Sequence, residues 1–387
     1  MSPRPARLAF LPYGRQLIDD ADVRAVVETL RSDWLTTGPK VDEFEQGIAG
    51  ATGSAHAVAV SNGTAALHAS MAAIGVAPGD EVIVPALTFV ATANAAVYQG
   101  GTPVFADVLP ESLLVDPADV ERRLTPCTKA IVTVDFGGQP CHYNELRELA
   151  RSAGVPLVAD ACHALGATYR DRPVGTLADL TTLSFHPVKH ITTAEGGMVT
   201  TDDAELATRL RRFRNHGLSS DHRERHAAGS WRYEMLELGF NYRLSDLQCA
   251  LGIAQLRHLP EWVARRREIA ALYTAALADV AGVRPLAVEP DRVSSWHLYV
   301  VQLELEQLRG TRDDVFRAMR GRNIGVNVHY IPVPHHPYYR ERARGGWTAA
   351  EHAYERILSL PMFPAMTDED VADVVAALEQ SLAALRR

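Results

Sequence analysis

Four short segments carry side chains whose types and spacing suit one chemistry. Ser61-Asn62-Gly63-Thr64-Ala65 lies where an apolar run gives way to a helical pattern. Gly63 permits a tight turn there. The free amides of Thr64 and Ala65, with the Thr64 hydroxyl, can then face an anion, although an ordinary strand-to-helix turn capped by Thr64 uses the same residues. Val155-Pro156-Leu157-Val158-Ala159 ends on Asp160, followed by Ala161-Cys162-His163. A carboxylate after so apolar a run needs a partner, whether a ligand or a neighbouring loop. Twenty-four residues on, Ser184-Phe185-His186-Pro187-Val188-Lys189 sets a lysine after another apolar run. Burial lowers the pKa of such an amine and makes it a nucleophile able to form a Schiff base. Phe89 follows the run Glu81–Ala86 and is placed either to cover a flat ring or to pack in the core.

An anion cradle, a buried carboxylate and a lysine are together what pyridoxal phosphate (PLP) requires. The phosphate takes the helix N-terminus, the carboxylate keeps the pyridine nitrogen protonated, and the lysine carries the aldehyde carbon.

These residues must be positioned by strands. AVAVS (57–61), EVIVPA (81–86), TPVFA (102–106), AIVTV (130–134), VPLVAD (155–160) and LTTLSF (180–185) are near-continuous apolar runs, the pattern of strands buried on both faces. Helical segments separate most of them, at 64–74, 90–98 and 143–152, and an opening helix fits 19–31 with Asp19 as its cap. Strand–helix alternation predicts an α/β fold with a mostly parallel sheet and helices on both faces. In open sheets of this kind ligands sit beyond the carboxyl ends of the strands. From about residue 245 the pattern changes. A long helical stretch interrupted by Pro260 leads to a strand at 297–305, a helix at 313–320, a Pro/His/Tyr-rich loop at 330–339 and a last helix capped by Thr367. The expectation is a large cofactor-binding domain with an N-terminal arm over 1–245 and a smaller α+β domain over 246–387. The polar stretch 217–232 reads as a mobile loop.

Composition agrees. Of 387 residues, 47% are hydrophobic and 22% charged, which excludes a disordered or fibrous chain. A net charge of −8 argues against a nucleic-acid binder. No stretch approaches the roughly 18 apolar residues of a membrane span. Cys127, Cys141, Cys162 and Cys249 form no CxxC pair, so reduced thiols and a cytoplasmic location are expected.

The segments SNGTAAL (61–67), PALTFVATANA (85–95), VADACHALGA (158–167), SFHPVK (184–189), EGGM (195–198), RNHG (214–217) and GFNYRLSDLQCALG (239–252) resemble, in family order, the DegT/DnrJ/EryC1/StrS nucleotide-sugar aminotransferases. That resemblance implies PLP-dependent fold type I, the aspartate aminotransferase-like fold. It makes Lys189 the Schiff-base and proton-transferring lysine, Asp160 the partner of the pyridine nitrogen and Phe89 the stacking ring. It puts His163 near the phenolic oxygen, with Asn62, Gly63, Thr64, Ala65 and Ser184 around the phosphate. It has Asn241 reach the cofactor of a neighbouring subunit, implying a homodimer with shared active sites. Finer detail, including VHYIPVPHHPYY (328–339), is similar to the 4-aminotransferases of the pseudaminic acid pathway. The implied reaction transfers the amino group of L-glutamate to C4 of a UDP-linked 4-keto-6-deoxy-N-acetylhexosamine, giving UDP-4-amino-4,6-dideoxy-N-acetyl-β-L-altrosamine. Tyr13, His329, Tyr330 and His335 would then face the sugar. Two positions depart from that subfamily, His190 in place of proline and Asp135 in place of histidine, both expected near the mouth of the site.

Three alternatives stay open. The acceptor could be another nucleotide-linked keto-deoxy sugar, at C3 or C4 or of the D-series. A dehydratase of the same fold would carry histidine in place of the lysine, and His190 adjoins it. A binding protein without catalysis would have lost Lys189 or Asp160. The pairs His222/His226 and His335/His336 lack the further ligands of a closed metal site, so no metal is expected. Arg212, Arg214, Arg223 and Arg225 form either a solvated basic loop or an attractor for the sugar's diphosphate.

Overall fold

A computed structural model describes residues 7–387, so the first six residues of the expected arm lie outside the described residues. The strands are β1 (His56–Val60), β2 (Glu81–Pro85), β3 (Thr102–Ala106), β4 (Thr128–Val134) and β5 (Leu157–Asp160), then a short hairpin of β6 (Thr168–Tyr169) and β7 (Arg172–Pro173), then β8 (Leu180–Ser184) and β9 (Gly197–Thr201). Seven of them form one sheet in the order β1-β9-β8-β5-β4-β2-β3. Only β9 runs antiparallel to its neighbours; the other pairings are parallel. The carboxyl ends of six strands therefore share one edge, and Gly197, opening β9, lies there between Val60 and Ser184.

A second sheet, β10 (Val283–Pro285), β12 (Tyr299–Leu303) and β13 (Ile357–Leu360), is wholly antiparallel, and β11 (Arg292–Val293) joins the β6/β7 hairpin. Alternation along β12 divides its side chains between two cores. Val300 packs into the core around the large sheet, whereas Tyr299, Val301 and Leu303 join a second core with Val374 and Leu378 of the last helix. The helix Leu259–Leu277 spans both: Leu259, Trp262 and Val263 belong to the first, Ile269, Tyr273 and Leu277 to the second. The helix Asp246–Leu256 instead packs on the helices Asp20–Leu30 and Pro39–Thr52. The second core draws on Leu11 near the N-terminus and then on residues from Ile269 onward.

The long helical stretch does break at Pro260 as expected: one helix, Asp246–Leu256, ends, and Pro260 occupies the first turn of the next, Leu259–Leu277, where its missing N–H has no partner to lose. Several local expectations need amendment. The opening helix is Asp20–Leu30, capped by Asp19, but Val23 and Leu30 of its apolar stripe are exposed while Asp22 and Thr29 are buried. Gln255 on the neighbouring helix donates to Asp22 Oδ2 at 2.5 Å, and that tertiary contact orients the helix. The stretch 217–232, expected as a mobile loop, contains the helix His222–Ala227 with a capping box between Asp221 and Glu224. The helix Pro39–Thr52 was not anticipated. Gly38 offers no side-chain cap, so the N-terminus depends on buried Asp246, which accepts from the Gly38 and Lys40 amides at 2.7 and 3.0 Å. Thr367 caps the last helix as expected. Replacing Asp246→Ala strands those amides and should lower stability by about 1–3 kcal/mol, read as a lower midpoint in urea or heat.

Candidate active site

At the shared strand edge lies a cleft of about 780 Å³. Tyr13, Asn62, Gly63, Thr64, Ala65, Phe89, Asp160, His163, Ser184, Lys189, His329 and Tyr330 all line it, twelve positions collected from six separate segments. The cradle differs from expectation in one respect. Asn62, not Thr64, caps the helix Gly63–Ala73, its Oδ1 accepting from the Ala65 amide at 2.8 Å. The Gly63 and Thr64 amides and the Thr64 and Ser184 hydroxyls remain as the donors for an anion. Asp160 closes β5, and its Oδ2 accepts from Thr92 Oγ1 at 2.7 Å. Phe89 is 53% exposed, so its ring is a wall of the cleft and not core packing. It meets the Tyr330 ring at 5.8 Å.

Lys189 is enclosed, and burial pushes its amine below the ordinary lysine range. Its hydrogen-bond partner is His297 Nε2 at 3.4 Å. His297 also contacts His163, ring centroids 4.3 Å apart, and His163 Nε2 meets the Tyr330 hydroxyl at 3.0 Å. Burial first, and the charge of Lys189 next, hold His163 and His297 well below the usual imidazole range. His329, bonded through Nδ1 to Ser359 Oγ at 2.8 Å, is pushed down to about 3 by the same two causes. Each of these rings is neutral at pH 7. His163 Nδ1 and His297 Nδ1 are buried without a hydrogen-bond partner among the described residues. The unmet nitrogen of His163, an anion cradle, a ring-covering phenylalanine and an amine disposed to be a nucleophile form a set that fits PLP.

The comparisons agree with this geometry. The sequence pattern of the DegT/DnrJ/EryC1/StrS aminotransferase family matches residues 16–379. The chain belongs to that family. It is therefore a PLP-dependent nucleotide-sugar aminotransferase of fold type I, an α/β architecture with the mostly parallel sheet described above. It is 43% identical over 374 residues to the spore coat polysaccharide biosynthesis protein SpsC of Bacillus subtilis, covering 95% of this chain and 96% of that one. Among solved structures, the putative sugar aminotransferase Spr1654 of Streptococcus pneumoniae in its PMP form superposes with a TM-score of 0.91 at 31% identity, over 97% of this chain and 99% of that one. PseC of Helicobacter pylori, an aminotransferase of pseudaminic acid biosynthesis, gives a TM-score of 0.91 at 30% identity, over 97% and 100%.

Other anticipated residues of this aminotransferase lie elsewhere. His335 is outside the cleft: the turn Val333–His335 is pinned by the Val333 amide on the Ala86 carbonyl at 2.8 Å, and the ring bonds Glu351 at 3.0 Å. Asn241, expected to serve a neighbouring subunit, is exposed and bridged to Asn215; it does not line this cleft, although the next residue, Tyr242, does. Asp135 is fully buried and not at the mouth. It accepts from Tyr143 Oη and the Cys141 amide, each at 2.8 Å, and burial pushes its carboxyl up to about 7. His190 is likewise buried, its Nε2 3.1 Å from the Ser295 carbonyl, so the dehydratase alternative loses its support. The arginine cluster forms a separate cavity of about 520 Å³. There Arg214 pairs with Glu45 and Arg223 with Asp42, each at 2.5 Å, while Arg212 reaches Glu237 at 3.8 Å. Arg225 lies over the Tyr233 ring at 4.8 Å and donates to the Ser220 carbonyl. Among the described residues no three His, Cys, Asp or Glu side chains gather for a metal, and the His222 side chain is outside them. His297 and Thr92 were missed, since each reads as an ordinary member of an apolar segment.

Gly197 carries a testable constraint. A Cβ there would overlap the Asn62 carbonyl and crowd the cradle. Gly197→Ala should weaken PLP binding by about tenfold or more in an absorbance titration, given the usual 1–3 kcal/mol cost of overpacking. The imidazoles set a second expectation. A histidine with a depressed folded pKa binds its proton more readily in the unfolded chain, so its contribution, complete above about pH 6.5, is lost as pH falls. For His329 the window extends down to about 3. Urea unfolding between pH 6 and 4 should show a stability slope that His329→Asn reduces by up to about 1.4 kcal/mol per pH unit.

Proposed function

We propose that this aminotransferase moves the amino group of L-glutamate to C4 of a UDP-linked 4-keto-6-deoxy-N-acetylhexosamine, forming UDP-4-amino-4,6-dideoxy-N-acetyl-β-L-altrosamine. The observation that carries this reading is the convergence of Lys189, Asp160, His329 and Tyr330 on one cleft with room for a sugar beside the cofactor. Similarity to PseC supports the pseudaminic substrate, and neither His190 nor Asp135 lines the cleft to alter it. A second reading, another nucleotide-linked keto sugar, is favoured by the greater identity to SpsC.

When bound, PLP supplies the electron sink that lets an amino group leave one carbon and join another. The chain's own residues do the rest. Asp160, fixed by the Thr92 hydroxyl, is the carboxylate for the pyridine nitrogen. The Thr64 and Ser184 hydroxyls and the amides at Gly63 and Thr64 hold the phosphate. Phe89 covers the ring, and His163 serves the phenolic oxygen. Lys189 Nζ, whose ammonium form burial disfavours, would hold the aldehyde carbon, take the proton from the donor's Cα and later return one to the sugar carbon. Tyr13 and His329, with ring centroids 5.5 Å apart, border the sugar beside Tyr330.

We also read the enzyme as a homodimer in which Asn241 serves the neighbouring cofactor. Support comes from the position of Asn241 outside its own cleft and from Trp231, Met235 and Leu238, which are exposed just before it. A cytoplasmic setting accords with four free cysteines. Among the described residues no helix is long and apolar enough to cross a membrane.

Lys189→Ala should keep PLP bound without the imine absorbance and lose at least about 10²–10⁴-fold in turnover. Mass spectrometry after incubation with PLP, glutamate and the L-configured UDP-4-keto sugar, beside its D-epimer, tests the substrate. Amination of the L-sugar alone supports the assignment; amination of the D-epimer alone transfers it to the second reading.

A further inference from the structure

The segment Ser294–His297 is held far more firmly than a connection into a strand requires. Trp296 has φ 52°, a left-handed conformation that a bulky side chain rarely adopts and that persists only where its surroundings impose it. The restraints come from four directions. The Trp296 amide donates to Ser294 Oγ at 3.0 Å. The Ser295 and Leu298 amides donate to the carbonyls of Gly138 and Gly137 at 3.0 and 3.1 Å. Gly138 has φ 102°, and a Cβ there would meet the Trp296 amide at 2.8 Å, so only glycine allows this approach. From the helix Leu259–Leu277 the buried Arg266 donates to the carbonyls of Trp296, His297 and Met362 at 3.2, 3.3 and 3.0 Å. Arg266 makes no ion pair among the described residues; burial alone lowers its guanidinium to about 10. His190 closes the fourth side, with Nε2 on the Ser295 carbonyl and its ring 5.7 Å from that of His297.

All this delivers one side chain, His297, whose Nε2 meets the Lys189 amine. The direction of the hydrogen bond follows from the other ring nitrogen. His297 Nδ1 is buried with no partner among the described residues. A buried N–H left without an acceptor is rarer and costlier than an unmet lone pair, so the ring hydrogen resides on Nε2. Nε2–H then donates to the lone pair of Lys189 Nζ, and only a neutral amine has that lone pair.

We propose that His297 is a positioning residue for Lys189, donating a hydrogen bond that keeps the free amine unprotonated and aimed into the cleft whenever it is detached from the cofactor. This rests on the assignment of Lys189 as the Schiff-base lysine. A detached lysine must act as a base, and a protonated one is inert. The groups facing Lys189 divide by sign. Asp160 and Cys162 favour its charged form, whereas Arg266 on the neighbouring helix opposes it. His163, His190 and His329 surround it as further imidazoles that burial keeps neutral. The donor on His297 counters the pull of Asp160. His190 then has a role that proline could not fill, as an anchor for the strained segment.

The test reads the lysine and not turnover. Full-length protein freed of PLP is treated with 1-fluoro-2,4-dinitrobenzene, which attacks only neutral amines, and labelling of Lys189 is followed by peptide mass against pH. His297→Phe keeps a ring but removes the donor, and should raise the labelling midpoint by about one pH unit. His297→Gln, which can place an amide N–H near the Nε2 position, should return it towards wild type. His297→Asn, too short to reach, should behave as Phe does. Circular dichroism establishes folding, and if the Phe variant does not fold, Gln against Asn decides. Equal midpoints in all folded forms, or a lowered midpoint without the donor, overturn the proposal. Failure of wild-type protein to aminate any keto sugar would instead count against the functional assignment, and leaves these midpoints as they are.

Discussion

A primary amine enclosed by protein, with no ion pair among the described residues to hold its proton, is the condition on which the rest of the site depends. Burial disfavours the ammonium form of Lys189, and the rings around it, His163, His190, His297 and His329, are shifted the same way. Protonating any one of them would set a cation against the others and against Arg266. Burial thus favours the neutral form at each of these groups, and a neutral amine is what attacks an aldehyde or accepts a proton. Asp160 lies close enough to oppose this; it closes β5, and its carboxylate accepts from the Thr92 hydroxyl.

The fold supplies that enclosure from both cores. Six parallel strand ends form the floor, and the antiparallel β9 fits between β1 and β8 because Gly197 lets it pass beneath the cradle. The helix Leu259–Leu277 runs from one core into the other, and Arg266 lies at the crossing, where its guanidinium grips the carbonyls that precede β12 and the Met362 carbonyl after β13. Movement of the small unit relative to the large sheet would therefore displace His297. The same logic applies at the N-terminal side, where Asp246 caps a helix more than two hundred residues earlier.

The exterior shows the converse. Arginines that look like an anion site in the sequence are mostly compensated: Glu45 and Asp42 take Arg214 and Arg223, and the Arg225 guanidinium rests on an aromatic ring. Their charge is spent within the chain, in a cavity apart from the cleft. The large apolar side chains between Trp231 and Phe240 remain outside, in the segment that also carries Asn241.

By itself the sequence determined the sheet, its six parallel strands and the positions that end them. Continuous apolar runs broken by helical periods admit few other arrangements, and the loops after such strands are where chemistry collects. Asn62, Asp160, Ser184 and Lys189 were legible for that reason, because local pattern and global placement coincide. The orientation of the opening helix, the helix Pro39–Thr52 and the cap at Asp246 were not, since each depends on a partner distant in the chain. The same holds for His297, one polar letter in an apolar run. Only the tertiary structure turned its Nε2 to Lys189, through a left-handed tryptophan, a glycine at 138 and a buried arginine. It also sent His335, Asp135 and His190 away from the cleft. Spacing along the chain reports which face a residue shares with its near neighbours, but contacts between remote segments are chosen by packing, and packing exists only in three dimensions.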